Sequence, residues 1–173
     1  MDVPIQHIIG TVALIGLVIS AGFAYTIITS YIEGSVIEQQ LKQVSEIVAL
    51  GIVEMVNLSN FTNFGRNNTM MRTIDLPIDV GGKAYAVQLM KETDQTEGYN
   101  VTSYLLTDHN VKASSFVPFN FNSTSSELYW VKEGKIAVIS ELTIYGGSDK
   151  TVVWAWSGGD ITTAGLGRIS QVG

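Results

Sequence analysis

The sequence predicts an α+β protein: a long N-terminal transmembrane or filament-core α-helix followed by an antiparallel, β-sandwich-like headpiece. Two observations predict this class. An uncharged apolar run near the N-terminus continues into a helical heptad pattern, and the chain beyond it alternates with the period of two that is typical of strands. The predicted organisation is a continuous helix over residues 1–58, a linker over 59–71 and a β-rich headpiece over 72–173.

The first half of the predicted helix is an apolar span over residues 8–32, a run of 25 residues without a charge. A helix rises 1.5 Å per residue, so a run of this length crosses a hydrocarbon core of about 30 Å. A cleaved secretory signal begins with basic residues and has an apolar stretch of about 7–15 residues. Here the start carries Asp2 and no Lys or Arg. An uncleaved span or a pilin-like helix is therefore the preferred interpretation.

A heptad seam follows the helix through the apolar span and its amphipathic second half, residues 33–58. Seam positions recur at alternating steps of four and three, and they are mostly small in the span and mostly large and apolar beyond it. Small residues let helices approach closely where lipid gives no hydrophobic drive to associate. The seam comprises Ala13, Gly16, Ser20, Phe23, Ile27, Ser30, Gly34, Ile37, Leu41, Val44, Val48, Gly51, Met55 and Leu58.

Two interpretations of this seam remain open. In the first, one helix packs against sister copies along its full length. In the second, the span is a plain anchor and the second half of the helix packs on its own headpiece.

The headpiece is predicted to contain about seven strands, the spacing of a small antiparallel sheet or β-sandwich. The first two form a hairpin around Gly81-Gly82, and Pro77 places the first strand at an edge or a bulge. The Gly- and Thr-rich stretch 158–173 is either a mobile tail or a final short edge strand. The other predicted strands cover residues 100–107, 111–121, 128–132, 135–145 and 151–157.

Charge and cysteine usage exclude several classes of function. The net charge is -6, and all basic residues lie at or after Lys42, so the phosphate-neutralising patch of a nucleic-acid-binding protein is absent. The chain has no cysteine, which excludes disulfides, thiol catalysis and thiolate metal sites. No nucleic acid partner and no cofactor are expected.

Asparagine motifs predict which side of the span is outside. Five N-x-[ST] sequons, all beyond the span, favour a headpiece exposed to a glycosylating exterior. Polar loops that match the motif by chance are the alternative. The candidate glycosylation sites are Asn57, Asn60, Asn67, Asn100 and Asn122.

No catalytic or metal site is predicted, and we expect a protein that is not an enzyme. His7 borders the span and His109 lies in a predicted turn, and the sequence lacks the zincin, nucleophile-elbow, Walker A and dinucleotide-binding patterns. The pairs Asp75/Asp79 and Asp94/Glu97 lack the spacing of a calcium loop. Trp154 and Trp156, two apart on a strand, are either core or an interface ridge, with core preferred.

This layout resembles the archaeal type IV pilin and pilin-like family. The resemblance covers mainly residues 4–58, with weaker support from the Leu76–Tyr85 segment. It implies that apolar helices bundle into a filament core while β domains, often N-glycosylated, coat the outside. Pilin precursors carry a basic leader that is cut before the helix, whereas no Lys or Arg precedes the helix here, and Gln6 stands near the position where bacterial pilins often carry Glu.

That departure leaves two functions open. If the chain is already processed, it is a structural subunit of a pilus-like surface filament that self-associates through its helix. If it is never processed, it stays membrane-anchored and resembles accessory, stator-like proteins of the archaeal motility filament, whose partners are cell-envelope or filament-machinery proteins. Both place a glycoprotein headpiece outside the cell.

Overall fold

The computed structural model describes the backbone of residues 5–61, 68–91, 98–121, 128–131, 136–157 and 162–171. Side-chain environments are described for residues 8–59, 69–91, 98–121, 138–156 and 162–169. The chain divides into two compact units, Met1–Val36 and Ile37–Gly173.

The described residues form one helix and nine strands. Helix α1 covers Ile5–Phe61, three residues beyond the predicted end, and contributes to both units. The strands are β1 (Asn68–Thr73), β2 (Tyr85–Lys91), β3 (Tyr99–Leu105), β4 (Lys112–Val117), β5 (Leu128–Val131), β6 (Ile136–Glu141), β7 (Thr143–Tyr145), β8 (Thr151–Ser157) and β9 (Thr162–Gln171).

The strands make two sheets in which every pairing is antiparallel. One has five strands in the order β1-β8-β9-β6-β5, and the other has four in the order β4-β3-β2-β7. The predicted α+β class, with a long apolar N-terminal helix and an antiparallel β headpiece, is confirmed.

The core of the second unit is built around the second half of α1. Its buried apolar side chains join those of both sheets in one cluster, which we call the main core. Val87 of β2, Val101 of β3, Val153 of β8 and Leu166 of β9 all belong to it. The α1 members are Ile37, Leu41, Val44, Val48, Ala49, Ile52, Met55 and Val56.

A second core lies on the opposite face of the five-stranded sheet. Strand residues alternate between faces, so Val153 points into the main core while Val152 and Trp154 point the other way, where Val138 joins them. The Trp154 indole Nε1 donates to the Leu166 carbonyl at 3.1 Å. Trp156 packs against this second core, partly buried. The preferred interpretation as a core residue is therefore confirmed for Trp154, whereas Trp156 lies at the margin of this core.

The predicted hairpin around Gly81-Gly82 is wrong beyond its turn. Val80 and Lys83 form an isolated antiparallel bridge, and residues 74–79 are not a strand. The second strand of that hairpin, β2, already has β3 on one edge and β7 on the other. No edge is left for residues 74–80. Those residues are instead fixed at Pro77, whose carbonyl accepts the Tyr85 hydroxyl at 2.8 Å and the Gly147 N–H at 3.1 Å.

The last stretch of chain is also more ordered than predicted. Strand β9 is neither a tail nor an edge strand but lies between β8 and β6. Its glycines serve close packing. A Cβ at Gly165 would stand 3.2 Å from the Trp154 ring, and one at Gly167 would stand 2.5 Å from the Ile139 carbonyl oxygen. The first strand differs too, because β1 begins at Asn68, inside the predicted linker 59–71.

The helix gives the first testable prediction. A fragment of residues 34–173 retains the α1 side chains of the main core, and we expect it to unfold in one cooperative thermal transition. A fragment of residues 59–173 has the predicted headpiece but loses Leu41 and Ile52, both with 0% exposure, and we expect it not to fold. Circular dichroism on heating tests both, and a cooperative transition in the shorter fragment would contradict this core.

A second prediction concerns Tyr85. Burial, and then the charge of Asp79, raise the pKa of Tyr85 to about 12. An unfolded tyrosine ionises near pH 10. Between these two pH values Tyr85 has lost its proton in the unfolded chain but keeps it in the folded protein. The free energy of unfolding therefore falls as pH rises. We expect Tyr85→Phe to lower the free energy of unfolding by about 0.5–1.5 kcal/mol at neutral pH. Because phenylalanine does not ionise, we also expect the variant to lose less stability at alkaline pH.

Chemical denaturation at a series of pH values measures the effect. Tyr145→Phe is the control, because Tyr145 is exposed and its replacement is expected to keep the parent slope. A Tyr85→Phe slope equal to that of the parent would show that Tyr85 is not the titrating group.

Candidate functional site: the exposed apolar half of helix α1

The large side chains in the apolar half of α1 are exposed. Between Ile8 and Ile32 every large hydrophobic residue is 52–78% exposed, and none belongs to either of the two described cores. Among the described residues α1 is the one helix long and apolar enough to cross a membrane. Burying such a side chain stabilises a structure by about 1.5–3 kcal/mol. Contact with lipid or with another protein would therefore stabilise this surface.

The hydroxyl groups in this segment are compatible with an apolar environment. Ser20 donates to the Gly16 carbonyl at 2.8 Å, Thr26 to Gly22 at 2.9 Å and Ser30 to Thr26 at 3.0 Å. A polar group moved into hydrocarbon without a partner costs several kcal/mol, whereas these three keep an acceptor on their own helix. Their side chains therefore need no water.

Small residues are distributed around the helix. Gly10, Gly16 and Gly22 are six residues apart. At about 100° per residue, each step turns the helix by about 240°, so the three glycines face three directions about 120° apart. A Cβ at any of them would meet nothing within 4 Å in the chain itself. Glycine costs about 1 kcal/mol relative to alanine in a helix, and no close contact with the described residues offsets that cost.

Aromatic rings stand near the end of the span. Tyr25 is 73% exposed and Tyr31 is 78% exposed, and Glu33 is the first charged residue after the span. Tyrosines concentrate where apolar and aqueous environments meet, because the ring is apolar and the hydroxyl is polar.

The predicted seam has two different environments. Its first part, from Ala13 to Phe23 and on through Ile27, Ser30 and Gly34, lies outside any core, and Phe23 and Ile27 are exposed. Its second part lies in the main core of its own domain, as the second interpretation of the seam supposed. The seam residues in the main core are Ile37, Leu41, Val44, Val48 and Met55. Gly51 is buried, whereas Leu58 is exposed.

Gly51 shows why the second part of the seam contains a small residue. A Cβ at Gly51 would lie 3.0 Å from Ile74 Cδ1 and 3.1 Å from Val153 Cγ2, so α1 approaches the five-stranded sheet closely there. Beside it, the helix leaves Ile47 and Leu50 exposed. The predicted heptad seam does not include Leu50. Leu50 lies three residues after Ile47 and is therefore next to Ile47 on the helix surface.

The sequons fall into three environments. Asn57 lies half-buried on α1, and Asn100 lies half-buried on β3. The side chains of Asn60, Asn67 and Asn122 lie outside the described residues. In the sequon of Asn100, the hydroxyl of Thr102 shares a hydrogen bond of 2.9 Å with Ser114. Glycosylation remains a prediction at all five.

The groups considered for chemistry are scattered. Within the described side chains no three His, Cys, Asp or Glu residues cluster to hold a metal ion. His109 is exposed and packs edge-on against the Tyr104 ring at 5.1 Å. The Asp79 carboxylate accepts the Gly82 N–H at 3.0 Å and so belongs to a turn. The His7 side chain and the pair Asp94/Glu97 lie outside the described residues.

Comparison with known proteins gives no match: neither a protein-family model, nor a curated protein, nor a solved structure was found to be similar to this chain.

The two environments of α1 predict opposite mutational behaviour. Leu41→Ala removes a fully buried side chain and is expected to lower the free energy of unfolding by about 2–5 kcal/mol. Leu50→Ala, on the same helix but 66% exposed, is expected to change it by less than about 0.5 kcal/mol. Denaturant unfolding of the full chain in detergent measures both, and equal losses would argue against the observed helix orientation.

Proposed function

We propose that this protein is a structural subunit of an archaeal type IV pilus-like surface filament, assembled by bundling of N-terminal helices. One observation carries the proposal: an exposed apolar helix segment, residues 8–32, has a glycine facing each of three directions. The β domain would form the outer surface of such a filament.

The glycines favour protein over lipid as the environment of this segment. Lipid tails satisfy apolar side chains but gain nothing from a missing Cβ, so a lipid-facing glycine keeps its conformational cost. Between helices the missing Cβ allows close backbone approach, where van der Waals packing and weak hydrogen bonds stabilise association. Glycines on three sides of one helix fit a bundle in which each helix has several neighbours.

A single anchored copy is the second candidate function, with the β domain as an accessory or stator-like module that binds the cell envelope or a filament motor. The observation that favours it is the length of the apolar segment together with Tyr25 and Tyr31 near its end.

Two measurements separate the candidates. Electron microscopy of purified surface appendages, with an antibody against the β domain, is expected to label filaments if the protein is a subunit. Dispersed copies found only in membrane extracts would favour the anchor. Intact mass of the native protein adds an independent criterion, since a processed, N-methylated terminus is expected of a pilin and a retained Met1 of an anchor.

Leucine substitutions test the bundle. Gly10→Leu, Gly16→Leu and Gly22→Leu each add bulk on a different side of the helix, and Ser20→Leu adds it on the seam. We expect each to reduce assembled filament by about tenfold or more, equivalent to about 1.4 kcal/mol, because neighbouring helices are forced apart.

The control is Leu17→Met, which keeps volume and apolarity and is expected to assemble normally. Normal filaments in all four leucine variants would remove the support that the glycines give to the bundle. Unfolding of the β domain should stay unchanged in every variant, because none of these positions contributes to the main core.

A further inference from the structure

A groove runs along the second half of α1, within the second unit. Its larger part has a volume of about 700 Å³. The helix side presents Ile47 and Leu50, which are 49% and 66% exposed. Next to them, Gly51 of α1 lies against the Ile74 side chain. These exposed apolar groups lie outside the apolar half of the helix, and the proposed filament bundle does not use them.

The opposite wall of the groove is the open edge of a sheet. Strand β1 is the terminal strand of the five-stranded sheet and, among the described residues, pairs only with β8. The Ile74 N–H donates to the Thr151 carbonyl at 2.9 Å, so Ile74 points its backbone groups toward β8. Because backbone groups alternate along a strand, Thr73 and Met71 direct theirs to the other side. Thr73 is exposed and lines the groove.

The β4 edge of the four-stranded sheet differs from the β1 edge. The Leu105 N–H of β3 donates to the Val111 carbonyl at 3.1 Å, which shows which residues face each other with their backbone groups. Followed along the antiparallel register of β3 and β4, this pattern directs the Ser114 carbonyl away from β3. That outward carbonyl accepts the Lys42 ammonium of α1 at 2.6 Å. The helix therefore covers the β4 edge with a charged side chain, whereas the β1 edge has an apolar groove beside it. Exposed edges that lack such protection recruit additional strands.

Charges along the groove are unbalanced. Arg72 of β1 pairs with Glu54 of α1, and this pair is neutral overall. Asp75 lines the larger cavity, and Asp79 lines a neighbouring one that also borders Ile47. Among the described residues neither carboxylate has an ion-pair partner. The lip of the groove is therefore acidic.

We propose that this groove binds an extended polypeptide segment, which joins the five-stranded sheet as an additional strand beside β1. The outer backbone row of β1 pairs with no described strand, and the main-chain N–H and C=O groups of an added strand have the spacing that matches it. Ile47 and Leu50 specify small apolar side chains at alternate positions of the segment. Asp75 and Asp79 specify a Lys or Arg at its end. The partner is thus an extended, alternately apolar and positively charged segment of another protein.

The probe is a short, fluorescently labelled synthetic peptide in which valine and threonine alternate, with lysine at both ends. The receptor is the full chain in phosphatidylcholine nanodiscs, and fluorescence anisotropy reports binding. We expect saturable binding that weakens about tenfold or more in Leu50→Asp. Met90→Asp, which changes an exposed apolar residue on β2 of the other sheet, is the matched control and is expected to bind as the parent does.

Backbone pairing is tested separately from side-chain contact. Thr73→Pro removes an N–H that points away from β8, so we expect the fold to persist while peptide affinity falls about tenfold. Two further peptides carry N-methyl groups on either the valine or the threonine amides. Amides of a strand point alternately to its two edges, so pairing with β1 should tolerate one peptide and reject the other.

Several results would overturn the proposal. They are the absence of saturable binding, equal affinity in parent and Leu50→Asp, or equal binding of both N-methylated peptides. If Leu50→Asp instead changes the oligomeric state while the peptide does not bind, a second copy occupies the groove and the proposal is wrong. Thermal unfolding of each variant verifies folding, and filament formation by Leu50→Asp shows whether the groove acts independently of the proposed assembly.

Discussion

Leu41, Val48 and Ile52 project from α1 into the middle of the β domain, and both sheets contribute to the cluster that surrounds them. The helix is held there by close approach at Gly51 and by polar contacts at its side, where the Ser45 hydroxyl lies 3.3 Å from that of Ser115. Without this helix neither sheet would have a partner for much of its apolar face. Insertion of the helix is therefore the interaction on which the fold depends, since a sheet must bury its apolar face against another element.

One heptad seam serves two physical situations along this single helix. Up to Gly34 its positions include small residues and hydroxyl-bearing residues, and the Ser20 and Ser30 hydroxyls donate to carbonyls of their own helix. From Ile37 onward they are mostly large aliphatic residues, which fill space between sheets. The change in residue size coincides with the division into compact units at Val36/Ile37. The sequence marks this change of environment by residue volume, because the spacing stays the same.

The strongest periodic signals were the most accurate guides to structure. The strand over 151–157 was predicted to the residue, and the helix was predicted to within three residues at its C-terminal end, because each has a clear period. The stretch after Gly158 was misjudged because its glycines indicate a loop locally, whereas Gly165 and Gly167 make room for Trp154 and Ile139. Likewise the alternation over 74–80 satisfies a local strand pattern, but β3 and β7 occupy both edges of its expected partner. The groove escaped prediction because it depends on how the edge strand β1 lies beside α1.

The position of β9 has a consequence for biogenesis. In sequence order this strand comes after the other strands of its sheet, yet it connects β8 to β6 in the middle of the five-stranded sheet. Before β9 is synthesised the five-stranded sheet consists of two fragments, β1-β8 and β6-β5, so the part of α1 that faces this sheet is incompletely covered until then. A nascent chain of this kind exposes an apolar helix at its front and an incomplete sheet behind it. Transiently exposed apolar surface and incomplete sheets favour aggregation, so a chain that lacks β9 is expected to be prone to aggregate.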